Sequence, residues 1–110
     1  MTNDYKAVIL PQAEKDILEI ADYISGSLKN PTAARKLLRE IKETVGRIKA
    51  FPYAMPVIKN DEITLGKEYR RADVGNYALI YRIVEEIKEV RIFAVFYAPS
   101  DILTRILNRI

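Results

Sequence analysis

The side chains able to do chemistry in this chain are arginine, lysine and tyrosine, and many of them fall between Lys67 and Tyr97. Histidine and cysteine are absent. That excludes a Ser-His-Asp arrangement, thiolate catalysis, disulfides and Cys-ligated zinc. The four glycines stand singly, so there is no phosphate-cradling loop. Metal ligation would rest on carboxylates alone. The adjacent pairs Asp61-Glu62 and Glu85-Glu86 have no second acidic cluster and read as solvated turns, so neither a metal nor a cofactor is expected.

What remains is coherent chemistry for a phosphodiester. Guanidinium groups stabilise negative charge on phosphate oxygens, in bidentate geometry where possible. Tyrosine rings stack on bases, and a phenol beside cations can serve as acid or base. Lys67, Arg70, Arg71, Arg82 and Arg91 all fall in one region, whereas the rest of the chain mixes signs. The net charge of +3 and pI near 9.2 are too mild to imply nucleic acid by themselves. A basic sheet edge that resists aggregation is the competing explanation for the cluster.

The elements that must position these groups follow from periodicity. Tyr5–Leu10 is a short β-rich run ended by Pro11, which also suits a helix's first turn. Ile17, Ile20, Ala21, Ile24 and Leu28 form a helical stripe, with Glu14 and Asp16 placed near the start. Ser25-Gly26-Ser27 weakens that helix, and Asn30-Pro31 caps a second one. Its stripe is Ala34, Leu37, Leu38, Ile41, Val45 and Ile48, and Phe51-Pro52 stops it. The two helices are expected to form an antiparallel hairpin. Pro52 to Gly66 lacks periodicity and reads as a loop.

Beyond it, a short basic strand precedes the Gly75-Asn76 turn, and Tyr77–Val84 and Val90–Tyr97 alternate as strands around a polar Glu85–Glu89 turn. In the last strand, Val90, Ile92, Ala94 and Phe96 are expected on one face and Arg91, Phe93, Val95 and Tyr97 on the other. Both strands are apolar on both faces near their middles, so both faces should be partly covered. Pro99-Ser100 opens a final helix in which Ile102, Leu103, Ile106, Leu107 and Ile110 share a face. The expected fold is α+β: an N-terminal strand, an antiparallel helical hairpin, a three-strand antiparallel meander and a short C-terminal helix, in one domain over residues 1–110. No apolar run approaches the ~20 residues of a membrane span, and the N-terminus lacks a signal-peptide pattern, so a cytoplasmic location is expected.

This order, with Tyr69-Arg70-Arg71-Ala72-Asp73-Val74-Gly75-Asn76-Tyr77-Ala78-Leu79-Ile80-Tyr81-Arg82, resembles the RelE/ParE superfamily of bacterial toxins. Pro11-Gln12-Ala13-Glu14-Lys15-Asp16-Ile17 is similar to the family's first helix start, and Val95-Phe96-Tyr97-Ala98-Pro99-Ser100-Asp101 to its last strand and exit. The resemblance implies a toxin of a type II toxin–antitoxin (plasmid stabilisation) pair, neutralised by a cognate antitoxin in a hetero-oligomer. RelE-like members are mRNA interferases that cut mRNA on the ribosome without a metal. ParE-like members inhibit DNA gyrase and are not nucleases.

For RelE-like cleavage, the resemblance implies Arg70, Arg82 and Tyr97 as catalytic residues, with Lys67 and Arg71 as further RNA contacts. Solvated strand ends and a half-buried rim tyrosine are the structural alternatives. The family's basic positions are replaced here by Ala72 and Ala78, and the last strand exits through Ala98-Pro99-Ser100. Loss of one preorganised charge-stabilising contact costs ~10²–10³ in rate. These departures motivate two alternatives: a gyrase-directed binding toxin, or a degenerate relative that is not toxic. In every version Ile102, Leu103, Ile106 and Leu107 either pack on the sheet or offer an apolar contact to a partner.

Overall fold

Residues 5–58 and 67–110 are described by the computed structural model. The elements are β1 (Lys6–Ile9), α1 (Pro11–Asp22) continuing into a wide π-type turn (Tyr23–Ser27), α2 (Pro31–Ala50), β2 (Val57–Ile58), β3 (Tyr69–Val74), β4 (Tyr77–Val84), a 3₁₀ turn (Glu85–Ile87), β5 (Glu89–Tyr97) and α3 (Ile102–Arg109). The strands form one sheet in the order β1-β5-β4-β3-β2, parallel between β1 and β5 and antiparallel elsewhere. This is the expected α+β arrangement with one addition. Val57 and Ile58, expected in a loop, pair with Arg70 and Tyr69 as an edge strand. The expected Asp61-Glu62 turn lies outside the described residues.

Local chemistry explains most boundaries. Pro11 starts α1, where its missing N–H is not needed. Asn30 caps α2 through Oδ1, which accepts from the Ala33 N–H at 3.0 Å. Asp101, rather than Pro99-Ser100, caps α3: Oδ1 accepts from the Thr104 N–H at 3.2 Å and Oδ2 from the Thr104 hydroxyl at 2.7 Å. Gly75 takes φ +57°, a turn conformation that glycine adopts without a Cβ clash. Along α1 the buried residues are Ala13 and Asp16, with Ile24 in the turn beyond, while Leu28 is exposed. The helical stripe therefore ends one turn earlier than its spacing predicts, because the π-type turn widens the helix there.

The alternation expected for β5 holds only to Ile92. Ile80 of β4 pairs with Ala94 and Tyr81 with Ile92, leaving Phe93 as an extra residue. A bulge of this kind moves the following side chains to the other face. Val90, Ile92 and Val95 thus join the core beneath the α1–α2 hairpin, whereas Ala94 and Phe96 join the opposite one. Period-two reading placed Ala94 and Phe96 with Val90 and Ile92, and the bulge separates them.

Each face of the sheet has its own apolar core. Leu37, Ile41 and Ile48 of α2 pack with Leu79, Tyr81, Val90 and Ile92 on the hairpin side. Ile102 and Ile106 of α3 pack with Tyr69, Ala78, Ile80, Ala94 and Phe96 on the other. Phe93 packs at the margin of this second core, its ring centroid 5.0 Å from that of Tyr69.

Candidate functional site

The basic residues of β3 and β4 divide between the faces. Arg70 stands opposite Tyr81 on the hairpin side, and its side chain is only 12% exposed. Its Nη1 donates to the carbonyl oxygens of Tyr53 at 3.2 Å and Met55 at 2.6 Å, and its Nη2 to Glu68 Oε1 at 2.9 Å. The guanidinium also sits 5.1 Å from the Tyr53 ring centroid. Arg70 is therefore committed to holding the 51–56 segment on the sheet. The Tyr81 hydroxyl does the same from beneath, donating to the Pro52 carbonyl oxygen at 2.6 Å.

Arg71 and Arg82 point to the other face. Arg71 pairs with Asp73 at 2.8 Å. Arg82 stands directly opposite Arg91, and its guanidinium lies 5.8 Å from the Tyr69 ring centroid. Arg91 is engaged by Glu89 at 2.5 Å. Arg82 has no acidic partner among the described residues, and its buried Nε, like that of Arg70, has no hydrogen-bond partner. Like charges directly opposite on antiparallel strands are unfavourable, so this is a stretch of sheet receptive to an anion. Lys67 lies exposed just before β3.

Tyr97 ends β5, half exposed, and packs edge-to-face on Tyr77 with ring centroids 5.8 Å apart. Tyr77 is four residues along β4 from Tyr81, the partner of Arg70. That spacing corresponds to about 13 Å along the strand. Arg70, Arg82 and Tyr97 thus lie on two faces and at two ends of the sheet. The fold does not bring these three together, whereas Arg71, Arg82 and Arg91 share one face.

The α3 stripe is split in the same way. Ile102 and Ile106 are buried against the sheet, Leu103 is half-buried, and Leu107 and Ile110 are exposed.

Several polar groups escaped sequence reading. Asp16, expected to serve the α1 dipole, accepts from the Val95 backbone N–H at 3.0 Å and from both terminal nitrogens of Arg109, at 2.7 and 2.9 Å. It binds the α1, β5 and α3 elements together from 79 and 93 residues away. Glu85, read as a solvated turn acid, pairs with Lys88 at 2.7 Å and accepts from the Tyr5 and Tyr53 hydroxyls, each at 2.7 Å. Lys88 and the two hydroxyls hold its carboxyl down at about 2. The same carboxylate, with burial, pushes the Tyr53 phenol up to about 12. Nothing in local spacing signals such distant partnerships.

Two clefts flank α3. One, of about 620 Å³, is walled by Tyr23, Tyr77 and Tyr97, with Glu19, Asp16 and Arg105 also lining it. Burial pushes the Tyr77 phenol up, reinforced by the nearby Tyr97 and Tyr23. The other, of about 760 Å³, is lined by Gln12, Phe96, Arg105, Asn108 and Arg109. No helix among the described residues is long and apolar enough to cross a membrane. Among them, no group of three or more acidic residues is arranged to hold a metal ion.

The architecture has relatives among solved structures. The chain is similar to one in the chromosomal ParDE toxin–antitoxin system from P. aeruginosa, with 16% identity and a TM-score of 0.68, covering 87% of this chain and 98% of that one. It is also similar to one in the archaeal RelE–RelB complex from Pyrococcus horikoshii OT3, with 16% identity and a TM-score of 0.54, covering 89% of this chain and 99% of that one. At such identities the likeness is one of fold. No curated protein matches the sequence. The family model described as "ParE toxin of type II toxin-antitoxin system, parDE" matches residues 7–101. With nearly the whole sheet and both hairpin helices inside that match, the chain belongs to the ParE toxin family of type II toxin–antitoxin systems, within the RelE/ParE superfamily.

Proposed function

We propose that this toxin inhibits growth by stoichiometric binding to its target, with DNA gyrase as the target that its ParE-type resemblance implies. One observation carries the reading: Arg70, Arg82 and Tyr97 do not share a pocket. Arg70 is enclosed by carbonyl oxygens and Glu68, so it is poorly placed to stabilise a phosphodiester transition state, which requires preorganised donors around one reacting centre. A cognate antitoxin neutralises the toxin. The two solved structures named above come from toxin–antitoxin pairs, in line with a hetero-oligomer. On α3 the accessible contacts for that partner are Leu103 and Leu107, because Ile102 and Ile106 are covered by the sheet. The proposed location is the cytoplasm, where both partners would meet.

A second reading, RelE-like cleavage of mRNA on the ribosome, is favoured by a different observation. Arg71, Arg82 and Arg91, each partly exposed, share one face of the sheet, and Lys67 lies exposed just before β3, a set suited to phosphate contact. The two readings separate when the chain is induced alone in bacteria and labelled thymidine and amino acids are followed for minutes. The binding reading expects early loss of DNA synthesis with translation intact. Early loss of protein synthesis with cut mRNA overturns it in favour of cleavage. Continued growth marks a toxin that is no longer active.

A further inference from the structure

The 51–56 segment between α2 and β2 is irregular in backbone yet pinned at nearly every residue. The Phe51 carbonyl oxygen accepts from the Ala54 N–H at 3.2 Å, that of Pro52 from the Tyr81 hydroxyl at 2.6 Å, and that of Pro56 from the Arg71 N–H at 3.1 Å. Those of Tyr53 and Met55 accept from Arg70, and the Tyr53 hydroxyl donates to Glu85 at 2.7 Å. Arg70 stays in this position although its buried Nε has no partner, a cost that an apolar residue would not carry. Yet the segment held so firmly displays its rings to water. Phe51 is 70% exposed, the most exposed large apolar side chain among the described residues, and Tyr53 is 53% exposed. Single exposed apolar residues need no explanation. A rigid segment carrying two exposed rings is the anatomy of a binding anchor, because its ordering cost is met before a partner arrives.

We propose that the 51–56 segment is the surface through which this toxin holds its growth target, with Phe51 and Tyr53 entering an apolar pocket on that protein. The inference rests on the binding reading above and names its contact surface. Shape decides the class of occupant. Most carbonyls of the segment are used internally, so little backbone is left for an added strand. Protruding rings need a concave pocket, which a folded protein supplies and an extended or single-helix segment does not. Charge narrows it further. Arg47 and Lys49, exposed in the last turn of α2, precede Phe51, whereas the exposed Glu86 adjoins the carboxylate that holds Tyr53. The partner's pocket therefore carries an acidic group at the Phe51 end and a basic group at the Tyr53 end. Glu86, which has no cationic partner among the described residues, would repel a phosphate backbone there.

The test measures binding of the full chain to purified bacterial DNA gyrase by surface plasmon resonance, together with growth arrest when each chain is induced alone. Phe51→Ala and Tyr53→Ala should each weaken binding about thirtyfold, the size of a hot-spot truncation, and abolish arrest. Leu18→Ala, which trims a side chain 56% exposed on α1, should change binding less than about twofold. Lys49→Glu should slow association about fivefold at low salt and flatten its salt dependence. Thermal unfolding of Phe51→Ala that matches the parent confirms intact folding, and Phe51→Gln replaces it if it unfolds. If gyrase binds the parent, Phe51→Ala and Tyr53→Ala alike, the surface is overturned while the binding reading stands. If the parent arrests growth without binding gyrase, the choice of gyrase fails and arrest decides the surface: arrest lost in both variants supports it, and arrest retained overturns it. A parent that does neither overturns both. Phe51→Ala that still arrests growth but escapes its antitoxin assigns the segment to the antitoxin. A labelled single strand bound by the parent and lost in Phe51→Ala assigns it to nucleic acid, and either result overturns the proposal.

Discussion

On the hairpin side of the sheet, Arg70 is enclosed by two backbone carbonyls, Glu68 and the Tyr53 ring. On the α3 side, Arg82 faces another arginine and has neither an acidic partner nor a carbonyl oxygen on its guanidinium among the described residues. The difference comes from what covers each face. Two long helices and the 51–56 segment close over the first, so a cation there must be satisfied internally or carry a large desolvation penalty. A single eight-residue helix covers part of the second, leaving guanidiniums near water and available to an anion. Being basic and on a strand is thus poor evidence of function, whereas being basic with no ion pair or carbonyl to hold the charge is better evidence.

The contrast is most sharply broken at Asp16, which joins the two faces. Asp16→Ala leaves the Arg109 guanidinium and the Val95 N–H without their partner, and is expected to cost about 3–5 kcal/mol in urea unfolding. Next come the two cores. Ile48→Ala beneath the hairpin and Ile106→Ala beneath α3 both remove fully buried side chains and should each cost about 2–5 kcal/mol. If the α3 side is the more adaptable, Ile106→Ala falls at the lower end, because a short helix at one edge can settle into the space.

Arg70→Met should destabilise by about 1–3 kcal/mol, since it leaves the Tyr53 and Met55 carbonyls unpaired. Arg82→Gln should change stability by no more than about 0.5 kcal/mol, with relief of the repulsion from Arg91 offsetting lost ring contact. Equal destabilisation by the two variants would erase the distinction between the faces.

The smallest effect is a pH dependence. Glu85 has its pKa lowered to about 2 from 4.5, so its contribution to stability is present above 4.5 and is lost as pH falls toward about 2. Unfolding curves across that window should flatten in Glu85→Gln. Tyr53 has the opposite sign: raised to about 12 from 10.0, it contributes below 10.0 and loses that contribution as pH rises toward about 12. Tyr53→Phe should reduce the alkaline slope, the remainder coming from Tyr81, which burial also pushes up to about 12, and from Tyr5, Tyr69 and Tyr77, which are raised as well.

Much of this molecule was legible from local pattern. The α2 stripe, the Asn30 cap, the Gly75-Asn76 turn and the order of strands and helices follow from periodicities and side-chain chemistry acting within a few residues, which is the range over which a sequence states its preferences directly. The membership of the family was legible for the same reason, because it rests on the succession of those elements. Tertiary structure decided the rest. The extra Phe93 reversed the faces of Ala94 and Phe96, since one inserted residue changes orientation without changing composition. The roles of Asp16, Glu85 and Arg70 depended on partners brought close only when the sheet closed. Arg105 gained its place between two clefts because α3 docks across β4 and β5. Residue types and strand order are written along the chain, but which charges end up paired is settled by the three-dimensional contacts that desolvate them.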